Sequence, residues 1–205
     1  MNSTLSNLRN ELRKSIREKR NSLTDKQQSL ASATVCKRLS NHPLYLESQH
    51  IAFFIAADGE INLQQLLEIA QAQDKCCYLP LINKSTGNSL QFYRYVEGDE
   101  LVKTRLGVLE PTRNREEISP DQLDLVLNPL VAFDNQANRM GMGKGFYDRT
   151  FEFKLDPAFR GKSPFLLGIA HECQRVERLE TADWDVPLDA VITSESVYGT
   201  LKITH

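Results

Sequence analysis

The chain has 205 residues, 40% of them hydrophobic and 25% charged, with a net charge of −2 at pH 7. That length buries a sizeable core without disulfide or metal staples, and the near-neutral balance argues against nucleic acid as a partner. No apolar run approaches the roughly 20 residues of a membrane span, so no membrane partner is expected. The N-terminal "MNSTLSNLRNELRKSIREKR" lacks a signal peptide's apolar centre and reads as mature sequence.

In chain order, Leu5, Leu8, Leu12 and Ile16 recur at helical spacing and predict an amphipathic helix over 5–22. Arg9, Arg13, Arg17 and Arg20 fall at the same spacing one position round; such a row reaches phosphates in some proteins, although a solvated face is the commoner outcome. "LTDKQQSLASATVCKRLSNH" predicts a second helix, with Thr24 as N-cap and Gln27 completing a capping box. "HIAFFIA" reads as a buried strand, followed by the turn "ADGE" and the helical stretch "NLQQLLEIAQAQ". "CCYLPLI" and "SLQFYRY" are strands around the turn "NKSTGN". Residues 97–121, broken by Gly107, Pro111 and Pro120, read as loops and short pieces. "LDLVLNPLVAF" reads as one buried strand. A helix is expected from Tyr147 to about Lys154, and "FLLGIAH" and "DAVITS" complete the strands. Buried strands alternating with helices predict a single α/β domain over 1–205, an open, mainly parallel, doubly wound sheet with helices on both faces.

Cys36, Cys76, Cys77 and Cys173 form no C-x-x-C pair and read as reduced thiols, which suits the cytoplasm. His42, His50, His171 and His205 show no metal-ligand spacing. His171-Glu172-Cys173 places a base beside a thiol, yet sequence neighbours on an extended segment point apart.

The informative segment is "NRMGMGKGFYDR", residues 138–149, where Gly141, Gly143 and Gly145 alternate around Lys144. Bare backbone between a buried strand and a helix lets N–H groups converge on an anion, and Lys144 and Arg139 add matching charge. The plain alternative is a tight turn. The loop is neither Walker A nor G-x-G-x-x-G, and in the only "GKS", Gly161 to Ser163, Asp156 stands where the first Walker glycine belongs. Asp148 suits a magnesium ion held against phosphates, or equally a helix N-terminus. Asp185 and Asp189 raise the same question, with a plain turn as the safer reading. Glu60 follows the first buried strand, where α/β sheets place ligand groups, although a lone acid there is usually a surface residue.

"NPLVAFDNQANRMGMGKGFYDR" closely resembles the signature of the 5-formyltetrahydrofolate cyclo-ligase family. The likeness extends through the basic first helix, "FFIAADGEIN", "KCCYLPLI", "LGVLEP", "GIAHECQ" and "WDVPLDAVIT". The resemblance implies a ligase that uses ATP and Mg²⁺ to convert 5-formyltetrahydrofolate into 5,10-methenyltetrahydrofolate, releasing ADP and phosphate. By the same resemblance, Arg9, Arg13 and the loop Arg139, Met140, Gly141, Met142, Gly143, Lys144, Gly145, Phe146 and Tyr147 bind ATP, with Lys144 and Arg139 catalytic. Ile55, Glu60, Phe146 and Tyr147 meet the reduced folate, and Asp148 and Asp185 hold the metal. A monomer is the working expectation.

Several positions depart from the pattern. Arg9 stands where the family often has lysine, Met142 where some members carry arginine, and Phe146 where tyrosine is frequent. Ala137 replaces a signature glycine; alanine resists positive φ, and neighbouring Asn138 tolerates it better. An ATP-dependent relative acting on another small carboxylate or amide, and a binding protein without turnover, remain open alternatives.

Overall fold

The structure, a computed structural model, describes residues 2–83, 85–103, 109–113, 115–159 and 162–200, with side chains of the first helix from residue 7 onward. Gly107 and Gly161 therefore lie outside the described residues, as does His205.

The N-terminal stripe forms α1 (Asn2–Asn21). Thr24 caps α2 (Asp25–Ser40): its hydroxyl accepts from Gln27 N at 3.3 Å while Thr24 N donates to Gln27 Oε1 at 2.9 Å, the capping box expected from sequence. A short α3 (Pro43–Glu47), not foreseen, begins on Pro43, where a missing N–H is harmless. β1 (His50–Ala52), α4 (Gln64–Ala72), β2 (Cys76–Ile82) and β3 (Leu90–Arg94) follow, and β2 coincides with "CCYLPLI". Among its described residues the polar stretch holds short strands, β4 (Leu101–Lys103), β5 (Leu109–Pro111) and β6 (Glu117–Ile118), and the start of a 3-10 turn, Pro120–Gln122.

"LDLVLNPLVAF" is two strands rather than one. β7 (Leu125–Pro129) stays in the main sheet, and the chain bends at Leu130 and Val131. β8 (Ala132–Phe133) then pairs antiparallel with β9 (Arg139–Met140). Both halves and the bend are buried, so the apolar run carries no mark of the break. The expected helix over 147–154 is also shorter: α5 spans Phe146–Thr150, and a 3-10 turn, Glu152–Leu155, follows. Phe151 ends it by burying its ring among Phe92, Tyr147 and Phe153. β10 (Phe165–Ile169), β11 (Ala190–Ile192) and an unforeseen β12 (Val197–Gly199) close the chain.

The main sheet runs β12-β11-β10-β7-β1-β2-β3-β6, with β11, β10, β7, β1 and β2 parallel and antiparallel edges. Period-two alternation splits the core. Ile51, Leu125, Leu127, Leu167 and Ile169 pack beneath α2, α3 and α4, while Ala52, Val126, Leu166 and Val191 pack with Phe151, Phe146 and Tyr147. From β1 the chain winds to β2 on one side and returns through β7 on the other. The switch point, where open α/β sheets bind ligands, therefore lies between the carboxyl ends of β1 and β7. Among the described residues no helix is long and apolar enough to cross a membrane.

Candidate functional site

After β1 the chain reverses through Ala57-Asp58-Gly59-Glu60. Asp58 and Gly59 have φ of 52° and 75°, the two left-handed positions that an Asp-Gly pair supplies in a type I′ turn. Glu60 N donates to Ala57 O at 3.0 Å, and Ala57 N donates to Glu60 Oε2 at 3.1 Å, which fixes the carboxylate over the turn. The Asp58 carboxylate accepts from Arg17 Nε and Arg20 Nη2, each at 2.6 Å, and from Asn21 Nδ2 at 2.9 Å.

The arginine row is thus not simply a solvated face. The Arg20 side chain is 1% exposed, donates to the carbonyls of Asp58 (2.8 Å) and Leu130 (3.2 Å), and lies 3.9 Å from Glu60 Oε1. Arg17 above all, with Asn21 and Arg20, pulls the Asp58 carboxyl down to about 2. Glu60 moves the other way. Burial pushes it up to about 6, opposed in part by the Ala57 N–H and Arg20.

The glycine segment is framed by Asp134, a buried carboxylate that accepts from Gln136 N, Asn138 N, Asn138 Nδ2 and Leu179 N at 2.9–3.1 Å. Ala137 itself takes the left-handed conformation, φ 62°, and Asn138 does not relieve it. Gly143 and Gly145 have φ of 91° and 63°, so both need glycine's freedom, and Gly145 leads directly into α5. Gly141 O accepts from Arg13 Nε at 2.9 Å, tying α1 to the loop. Arg149 holds the loop from the other side through Asn88 O (2.5 Å) and Lys144 O. With α5 only five residues long, the cations carry the attraction for anions more than a helix dipole does.

Arg139, buried beneath the loop, donates to Asp148 Oδ1 at 2.6 Å and to Asn128 Oδ1 at 3.4 Å, and its guanidinium lies 5.7 Å from the Tyr147 ring centroid. Asp148 also accepts from Val186 N at 3.2 Å. Burial, and secondarily the charge of Glu60, pushes the Tyr147 hydroxyl far above the usual tyrosine range, so it stays protonated.

Two cavities flank this loop. One, of about 400 Å³, is lined by Arg9, Arg13, Arg139, Lys144 and Arg149, by Asp148, Glu152 and Asp185, and by Trp184 and the three loop glycines. The other, of about 440 Å³, is lined largely by apolar groups, among them Phe54, Ile55, Pro80, Ile82, Leu90, Pro129, Leu130, Met142, Phe146 and Tyr147, with Glu60, Asp58 and Arg17. Arg139, Gly141, Lys144, Gly145 and Asp148 border both, so the loop is their common wall. Arg9 Nε is buried without a hydrogen-bond partner, although Arg9 Nη2 lies 3.6 Å from Asp185.

The sequence-derived candidates divide accordingly. Arg9, Arg13, Arg139, Lys144, Asp148 and Asp185 meet at the cationic cavity, and Ile55, Glu60, Phe146 and Tyr147 at the apolar one. Met140 faces neither: it packs with Ile16, Val131 and Leu179, because β9 turns it inward. Asp189 accepts from Leu166 N (2.8 Å) and serves the turn before β11. His171, buried and within 3.1 Å of Gly59 O, forms no unit with Cys173. Sequence reasoning missed Asn128, Asp58 and the buried role of Arg20; only the Asp-Gly turn signal pointed toward any of them. No group of three or more metal-ligating side chains occurs among the described residues. Asp148 and Asp185 still suit Mg²⁺, which takes one or two carboxylates and completes its shell with water and phosphate oxygens.

An open, mainly parallel sheet that places a cationic cavity and an apolar one on either side of a shared glycine loop belongs with the α/β proteins that bind ligands at a switch point. The chain is a member of the 5-formyltetrahydrofolate cyclo-ligase family, whose profile matches residues 5–194. It is 36% identical over 188 residues to the 5-formyltetrahydrofolate cyclo-ligase of Escherichia coli, covering 89% of this chain and 98% of that one. The Haemophilus influenzae protein of the same name is 38% identical over 181 residues, covering 88% and 94%. The solved structure of Aquifex aeolicus 5,10-methenyltetrahydrofolate synthetase superposes with a TM-score of 0.78 at 29% identity, covering 97% and 98%. The chain is accordingly an enzyme of the ligase class.

Proposed function

We propose that this enzyme uses ATP and Mg²⁺ to close 5-formyltetrahydrofolate to 5,10-methenyltetrahydrofolate, with release of ADP and phosphate. The observation that carries this reading is the loop of residues 141–145 standing between a cationic cavity and an apolar one. A triphosphate fits the first by charge, and a reduced pterin fits the second, where apolar side chains can pack on its ring faces and Glu60 can meet its polar edge. The reacting oxygen and the γ-phosphate then meet at the wall both cavities share.

A formamide oxygen is a poor leaving group. Its attack on the γ-phosphorus expels ADP and converts it into a phosphate ester. The N10 lone pair then adds to the formyl carbon, the N10 proton is released, and phosphate departs. Positioning and neutralisation of charge dominate such phosphoryl transfer. Lys144, exposed and without an ion pair among the described residues, is free to follow the transferring phosphate. Arg139 is held from behind by Asn128 and Asp148, which pre-orients its guanidinium. Arg9 and Arg13, one helical turn apart on α1, neutralise the tail. Asp148 and Asp185 would hold Mg²⁺, which supplies further charge neutralisation on the phosphates. Glu60 offers a carboxylate to the pterin N–H groups, and Ile55 and Phe146 line the ring's apolar surroundings. The four free cysteines suit a cytoplasmic setting.

The test mixes protein, Mg-ATP and 5-formyltetrahydrofolate and follows the methenyl product by absorbance. Product formed in step with ADP supports the reading. ATP binding without product, by folded protein, transfers support to a relative with a different carboxylate or amide substrate.

A further inference from the structure

Trp184 is the chain's single tryptophan. It is 72% exposed, more than any other large apolar side chain among the described residues. A short turn projects it: Ala182 N donates to Asp185 Oδ2, and Asp185 N donates to Ala182 O, both at 2.9 Å. Neither bond involves the indole, so the turn holds its shape while the ring stays in water. An unsupported indole in solvent leaves much apolar area unburied.

Its location gives that exposure a use. Of the side chains lining the cationic cavity, Trp184 alone is aromatic or apolar; the rest are arginine, lysine, carboxylates and bare glycine backbone. A nucleoside triphosphate has two chemically different ends. The cations account for the phosphates, and the flat heteroaromatic base asks for a platform with a large apolar face. The apolar cavity across the loop is already assigned to the second substrate. Aromatic side chains stack on nucleobases whatever the base identity, because every base presents a π-face.

We propose that Trp184 is the stacking platform for the nucleobase of the triphosphate co-substrate, an assignment that rests on the nucleotide reading above. Asp185 then joins the two ends of the ligand: one side of its turn meets Arg9 at 3.6 Å, and the adjacent residue offers the indole.

The experiment uses the intact enzyme and three probes: Mg-ATP, Mg-CTP and inorganic tripolyphosphate. With one tryptophan, emission reports on this ring alone. Mg-ATP should change the emission, Mg-CTP should do so less strongly, and saturating tripolyphosphate should leave it unaltered while still competing with ATP. Trp184→Ala should raise the KM for ATP by about tenfold or more, with the inhibition constant of tripolyphosphate unchanged within about twofold, and Trp184→Phe should restore most of the loss. ATP binding with no change in emission would overturn the platform and leave the phosphate assignments standing. Equal weakening of ATP and tripolyphosphate in Trp184→Ala would overturn it as well. Failure of tripolyphosphate to compete in the wild-type enzyme would instead sink the phosphate reading of the cavity, and the platform with it.

Discussion

The Arg139 guanidinium lies 2.6 Å from the Asp148 carboxylate, with the arginine 5% and the aspartate 24% exposed. A group expected to meet phosphate and a group expected to meet metal are therefore each other's partner before any ligand arrives. Removing the carboxylate strands a buried cation, so Asp148→Asn should destabilise the free enzyme by about 1–3 kcal/mol, less than a fully buried pair would lose. Mg-ATP should raise the melting temperature of the wild type and leave that of the variant nearly unchanged. A variant as stable as the wild type, with an intact Mg-ATP response, would remove Asp148 from both roles.

Lys144 gives the opposite profile. It is exposed and takes no part in an ion pair among the described residues. Lys144→Ala should change unfolding free energy by no more than about 0.5 kcal/mol. Turnover should drop about 100-fold or more, as when a preorganised charge facing the transition state is lost. Denaturant titration and the methenyl absorbance assay separate the two quantities. Comparable losses of stability and activity would speak for a structural lysine.

These contrasting behaviours reflect what a sequence can and cannot reveal. The alternating apolar strands and the Thr24–Gln27 capping box were legible because local spacing alone determines them. The bend at Leu130 was not, since an apolar run buried on both sides of a corner reads like a straight strand. Of the basic residues that line the cationic cavity, Arg139 and Lys144 were legible in the glycine motif, whereas Arg149 was not. Arg20 and Asn128 were not, because a polar residue is scored as exposed until its partners are known. The partners of Arg20, Asp58 O and Leu130 O, lie 38 and 110 positions away. Ala137 shows a related blind spot: the pattern asked for glycine, and the fold imposes φ 62° on alanine instead.

The Asp58 clasp fixes the turn to α1, and its loss should be felt in acid. Its carboxyl is held down to about 2, against 3.8 unperturbed, so its stabilisation is complete above pH 4 and disappears as pH falls toward 2. Asp58→Asn should remove that acid-sensitive component and lower stability at pH 7 by about 2–4 kcal/mol, because Arg20 is left buried without its closest counter-charge. Urea denaturation at several pH values measures both. A variant that unfolds at the wild-type midpoint at pH 7 would show that the clasp contributes nothing.

Glu60 carries the reverse sign. Its folded pKa of about 6 lies above the unperturbed 4.5, so the folded state holds its proton more tightly than the unfolded chain does. The stability that Glu60 itself contributes is therefore fully present below pH 4.5 and is lost as pH rises through 6, by an amount on the order of 1–2 kcal/mol. Glu60→Gln keeps an acceptor for Ala57 N and carries no charge to desolvate. It should match the wild type near pH 4 and exceed its stability above pH 7. Folate recognition should change in the other direction. If the ionised carboxylate accepts pterin N–H groups, wild-type folate affinity falls as pH drops below 6, whereas the variant binds weakly at every pH, by about tenfold or more. Nucleotide affinity should stay within about twofold of wild type, since Glu60 lines only the apolar cavity. Calorimetric titrations with each ligand at pH 5 and pH 8 decide the matter. Weakened ATP binding with folate binding intact would place Glu60 outside the pterin site, and a variant less stable than wild type at pH 8 would show that burial does not penalise its charge.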